Sequence, residues 1–140
     1  NESNALWEQL SKAGFISGNY LGTAFTEPTA GNSLAPLNEF GGMVLVGRTP
    51  DFEGAGDQVR LNVVLGRRIP VDIARELDVK VDDGVPDQGA VRASVDDGNG
   101  VLPSILYAQK WGGREAACVD ATPVWDVTSE SKDCNAISLF

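Results

Sequence analysis

Apolar residues recur at two periods along this chain, and the change from one period to the other marks its elements. Near the middle, Ile69, Ile73 and Leu77 follow one another at spacing four, which gathers them into one narrow stripe on a helix. Pro70 suits the first helical position, where its missing N–H would have no partner anyway, and Asp72 sets a negative charge near the positive end of the helix dipole. Gly84 suits the left-handed position just past a helix and Pro86 cannot continue one, so the helix is predicted to end near Asp82 or Asp83. Close to the N-terminus, Leu6, Leu10 and Ala13, or Trp7 with Leu10, predict a shorter helix over Ala5–Ala13. Ser3 or Asn4 caps it, Gly14 stops it, Phe15 folds back onto its last turn, and Trp7 is a core anchor rather than a ring for stacking a ligand.

Elsewhere the period drops to two. Gly42–Gly47 is a short apolar run between glycines, and Gln58–Gly66 begins with clean alternation; both are predicted strands, joined as a hairpin through Thr49–Gly56. In the second strand Val59, Leu61 and Val63 are expected on the buried face and Arg60 and Asn62 on the wet one, with the helix that follows free to cover the buried face. Gly89–Val95 is a third strand with Val91, Ala93 and Val95 on one side, and Asp96–Gly100 is a plain turn, since it lacks the later glutamate of a calcium loop. Ser17–Gly42 is a long surface loop pinned by Leu34, Leu37 and Phe40, and Val124–Val127 is a weak strand in a tail that carries Trp111 and Trp125. The fold class expected from these elements is α+β, with a short N-terminal helix and a second helix packed on an antiparallel sheet, linked by long loops.

The end of the second helix conflicts with simple electrostatics. Asp78, Asp82 and Asp83 crowd the negative end of the dipole, where each acid costs about 0.3–1 kcal/mol. Two compensations are open. Lys80 and the backbone N–H groups of the Val85–Gly89 loop can serve the acids, or a cation can sit between Asp78 and Asp82, which share a face at spacing four. The first is favoured, making Asp82, Asp83, Gly84, Pro86 and Gly89 a structural corner that turns the helix into the third strand, with no metal, cofactor or catalytic residue assigned to it.

Composition narrows the function more than it changes the fold. The 140 residues suit one soluble globular domain, 1–140, and the 42% of hydrophobic residues can build a core without staples. No stretch has the length and apolarity of a membrane span or the pattern of a signal peptide, and the chain begins at Asn1, almost directly on a helix, so a preceding segment is expected to be missing. A net charge of −9 argues against nucleic acid and anionic membrane surfaces as partners. The absence of histidine removes Ser-His, Cys-His and histidine-base catalysis, and adjacent Asp82 and Asp83 make a poor glycosidase pair, so the protein is expected not to be an enzyme. Cys118 and Cys134 are too few for a zinc site; a disulfide between them, worth about 3 kcal/mol in the chain-entropy model, is favoured over two unlinked thiols and points to an oxidising compartment.

Three blocks and the cysteine pair resemble the globular domains of type IV pilin-like proteins, including minor pilins and type II secretion pseudopilins. The blocks are Leu6-Trp-Glu-Gln-Leu-Ser-Lys-Ala-Gly-Phe-Ile-Ser-Gly18, which is similar to the end of the long pilin helix, Asn38-Glu-Phe-Gly-Gly42, and Leu77–Ala93. Together the three blocks cover about a quarter of the chain, while the middle loop and Trp111–Thr128 match nothing in that pattern. The resemblance implies a helix packed on an antiparallel sheet and a disulfide-bounded loop near the C-terminus. It further implies a missing N-terminal apolar helix that anchors the intact protein in the inner membrane and then polymerises with other pilin or pseudopilin subunits, placing the domain in the periplasm or at the cell surface. The alternative function is an extracellular binding module for calcium or glycan, using the acidic loops and exposed tryptophans.

Overall fold

Local sequence decides the first element. In a computed structural model that describes residues 2–22, 35–50, 52–56, 58–94 and 117–140, helix α1 runs over Glu2–Lys12. Gly14 stops it as expected, at φ 77°: the Gly14 N–H donates to Ser11 O at 3.0 Å and the Phe15 N–H to Leu10 O at 3.0 Å, the paired bonds of a glycine-terminated helix. The start differs, because Asn4 lies inside the helix and is fully buried instead of capping it. Phe15 differs too, remaining 79% exposed instead of folding back. Trp7 is half-buried against the core and its Nε1–H donates to Val44 O at 3.0 Å, so it anchors α1 to the start of the first strand.

The sheet has four antiparallel strands, β1 (Leu45–Thr49), β2 (Arg60–Val64), β3 (Val91–Ala93) and β4 (Ala136–Leu139), in the order β1-β2-β4-β3. With α1 and helix α2 (Val71–Val81) this is the expected α+β fold. The second and third predicted strands appear in trimmed form, the first is shifted from Gly42–Gly47 to Leu45–Thr49, and the strand missing from the sequence reading is β4. It sits at the centre, pairing Val64 with Ile137 on one side and Ala93 with Ala136 on the other. Val124–Val127 is not a strand; Trp125 makes an isolated bridge with Val119, and Val127–Ser129 form a turn of 3-10 helix. Within the described part of the long loop, Asn38 ties the chain down: its Nδ2 donates to Leu65 O and Arg67 O, and its Oδ1 accepts from the N–H groups of Phe40 and Gly42. The expectations for residues 23–34, Val95, the Asp96–Gly100 turn and Trp111 fall outside the described residues.

The expected parity of β2 is reversed. Asn62 and Val64 are fully buried, whereas Val59 is 50% and Leu61 48% exposed. Val64 pairs with Leu45 and Ile137, and residues aligned across strands share a face, so these three floor a half-core with Met43, Phe52 and Ala55, against which Trp7 packs. Ala136 and Ile137 point to opposite faces of β4 and both are fully buried. The second half-core therefore lies on the other side of the sheet, where Val91, Ala93 and Ala136 meet Val71 and Ala74 of α2, together with Trp125 and both cysteines. Thus α1, not α2, covers the face that buries Val64.

Helix α2 occupies the predicted span, with Pro70 one place earlier than expected, as the residue before the first turn, and Asp82 as the residue after the last. Its buried face is Val71, Ala74 and Asp78. The predicted stripe is displaced from it: Ile69 is buried just ahead of the helix, Leu77 is half-buried and Ile73 is 44% exposed. A carboxylate, Asp78, completes the buried face that Val71 and Ala74 begin. No helix among the described residues is long and apolar enough to cross a membrane.

Candidate functional site

The acid-rich end of α2 and the 118–134 loop meet at Asp78. The helix holds Asp78 on its inward face, and from the loop the Trp125 Nε1–H donates to Asp78 Oδ2 at 2.7 Å. From the corner, the Gly84 N–H donates to Asp78 Oδ1 at 3.2 Å. Both carboxylate oxygens are therefore engaged, one by each of two separate segments, and the residue is completely buried. Burial raises the Asp78 pKa above the ordinary carboxylate value. The bonds from Trp125 and Gly84 oppose that rise, and the neighbouring Asp83 and Asp82 charges add to it.

Asp82 and Asp83 serve the corner itself. Asp82 Oδ2 accepts from the Ala90 N–H and, at 3.1 Å, from the Val91 N–H, so it fixes the entry into β3. Asp83 Oδ1 accepts from the Val85 N–H at 2.8 Å, a tight Asx-type turn. The sites of left-handed backbone are Gly84 at φ 79° and Gly89 at φ 65°, and a Cβ on Gly89 would collide with the Asp82 carboxylate. Pro86 is buried in the bend and its carbonyl accepts from the Ala93 N–H at 2.9 Å, which closes the corner against β3. Lys80, the other compensation open in the sequence, instead reaches Glu76 at 4.0 Å, a surface pair of small consequence.

One oxygen from each of Asp78, Asp82 and Asp83 lies within 4.8 Å of the others. Such proximity arises here from convergent N–H donors: Gly84, Val85, Ala90, Val91 and Trp125 all point at these three carboxylates. Dipoles of fixed N–H groups neutralise the acids in the way a cation would, so no metal ligand is assigned to them.

Cys118 and Cys134 form a disulfide with their Cα atoms 5.7 Å apart. Both are buried in the same half-core as Trp125, and the Ile69–Cys134 bridge lays the end of the loop beside the entry to α2. The loop is braced from within. Asp120 accepts from Thr122 Oγ1 and N–H, Asp126 accepts from Thr128 in the same way, and the Asp120 pKa is lowered chiefly by the Thr122 hydroxyl. Arg67 and Asp133 then pair across the loop's base.

The residues marked in the sequence lie close together, since the corner and the disulfide loop meet through Asp78. Sequence reasoning missed the inward turn of Asp78 and its tryptophan partner. An available signal was Val71, Ala74 and Asp78 at helical spacing, which marks an inward face only if the acid is admitted to it. A cleft of about 450 Å³ opens at the start of α2, between Pro70 and Asp72 on one wall and Val127, Glu130 and Lys132 on the other. Its charges are mixed and exposed, and no nucleophile paired with a base converges on it. Comparison of the chain with models of protein families, with curated proteins and with solved structures finds no match to any of the three.

Proposed function

We propose that this domain is a non-catalytic structural subunit of the minor pilin or pseudopilin kind, built to present a surface and to pack beside neighbouring subunits in a type IV pilus or type II secretion filament. The observation that carries this reading is the seating of α1 on an antiparallel sheet through Trp7, next to a disulfide-closed loop near the C-terminus. That arrangement agrees with what the sequence resemblance implies. A helix fastened to the sheet by a long-range indole bond can transmit load from a filament core to the globular part, because bond and packing resist its peeling away.

In this reading the domain works in the periplasm or at the cell surface, anchored in the inner membrane before assembly by a preceding apolar helix, and its partners are further subunits of the same class. A disulfide among the buried residues is compatible with such a compartment. The calcium or glycan module draws less support, because Trp125 is only 2% exposed and the corner acids are occupied by N–H donors. The gene upstream of the Asn1 codon provides the test. A short basic leader followed by a long apolar helix is the expected result, and an ordinary cleavable secretion signal in that place removes the proposal.

A further inference from the structure

We propose that the Asp78–Trp125 bond acts as a pH-sensitive gate on the buried Cys118–Cys134 disulfide, keeping the 118–134 loop closed against reductants in acid and letting it open more readily toward neutral pH. Cys118 is 1% and Cys134 0% exposed, so a reductant reaches the sulfurs only when the loop lifts. Lifting the loop must carry away Trp125, the largest fully buried side chain among the described residues, and with it the donor on Asp78 Oδ2.

The loop also shields Asp78 from water, and this makes the gate respond to pH. With the loop closed the carboxylate has two donors and no bulk water; with the loop open it regains hydration. The charges that act on it are acidic. On its own corner stand Asp82 and Asp83, which disfavour its ionisation. On the loop, Asp126 is engaged by Thr128 and Glu130 is exposed. On β3, Arg92 donates to Glu53 O and Gly89 O and stacks on Phe52. Burial outweighs the two hydrogen bonds and raises the carboxyl pKa in the closed form. The closed form therefore holds a proton more tightly than the open one, so opening becomes more favourable as pH rises from the ordinary carboxylate value to the raised one, and levels off above it.

Reduction by a trialkylphosphine reads the open population. The phosphine attacks one sulfur, the S–S bond breaks, and water converts the phosphonium to phosphine oxide, leaving two thiols. Its rate on this protein, divided by its rate on a small exposed disulfide in the same buffer, is expected to rise several-fold from acid to neutral pH. Asp78→Asn, which keeps an acceptor for the indole, should give a flat ratio. Trp125→Phe removes a donor that favours the ionised acid, so it should move the rise to higher pH. Hydrogen exchange of the β2 and β4 amides, corrected for its intrinsic pH dependence, should stay level, because the gate opens locally. A flat ratio in the parent protein, an unchanged slope in Asp78→Asn, an unmoved midpoint in Trp125→Phe, or sheet amides that follow the same profile would each overturn the gate. Should Asp78→Asn fail to fold, the parent profile, the Trp125→Phe midpoint and the sheet amides decide the matter.

Discussion

Beneath α1, Met43, Leu45, Phe52, Val64 and Ile137 meet as carbon surfaces; on the opposite face of the same sheet, α2 and the 118–134 loop bring together a carboxylate, an indole N–H and a disulfide. The first half-core gains its stability from area removed from water, about 1.5–3 kcal/mol for each large side chain fully buried, and it tolerates substitutions that conserve volume. The second contains groups whose burial is acceptable only in matched pairs. Removing one member there costs more than the lost contact, because its partner is left desolvated. The two faces therefore differ less in how deeply they are buried than in what a single change does to them.

Substitutions can test that contrast, and the largest effect is expected at Trp125. Trp125→Ala should destabilise by about 3–5 kcal/mol from the cavity, with a further penalty from the unpaired Asp78, measured by urea unfolding. If Trp125→Phe loses as much as Trp125→Ala, volume alone does not account for the site and the donor dominates. Ile137→Ala on the other face should cost about 2–5 kcal/mol, and Ile137→Leu far less, because no polar partner is exposed by either. Replacing both cysteines by alanine should lower stability by about 3 kcal/mol through the reopened loop, visible as a lower melting temperature than the oxidised parent.

Smaller effects sharpen the picture at the corner and on the strand. Asp82→Ala removes the acceptor for two N–H groups at the start of β3 and should cost about 1–2 kcal/mol; equal melting temperatures would deny the corner its structural role. Leu61→Ala, on the half-exposed face of β2, should shift stability by less than about 1 kcal/mol, well below Ile137→Ala, and a larger loss would restore the parity suggested by the sequence pattern.

That parity was not decidable from β2 itself. Val63 and Val64 are adjacent apolar residues, so either face can be read as the inner one, and Val59 and Leu61 extend the wrong choice. Leu45 and Ile137 resolve it by pairing with Val64 from both sides. The central strand Ala136–Leu139 carries Ile137 and Leu139 at period two, yet four residues beside a terminus offer no sign of their importance until β2 and β3 supply partners. In α2 the acid at position 78 concealed the inward face, since a carboxylate reads as a solvent position. What makes it tolerable inside is a tryptophan 47 residues further along the chain.

The sequence by itself determined what short-range chemistry can specify: the span of α2 and its end at Asp82, the glycine stop of α1, and the corner at Asp82, Asp83, Gly84, Pro86 and Gly89. These depend on dihedral preferences and on N–H groups a few residues away. The choice of the cysteine pair was likewise legible, because two thiols leave one partner each. Tertiary structure alone decided which faces of β2 and α2 turned inward, the place of β4, and the meeting of Asp78 with Trp125. Burial is a property of the assembled neighbours, and an acid, an indole and a disulfide become one cluster only when the sheet has brought distant segments to the same side.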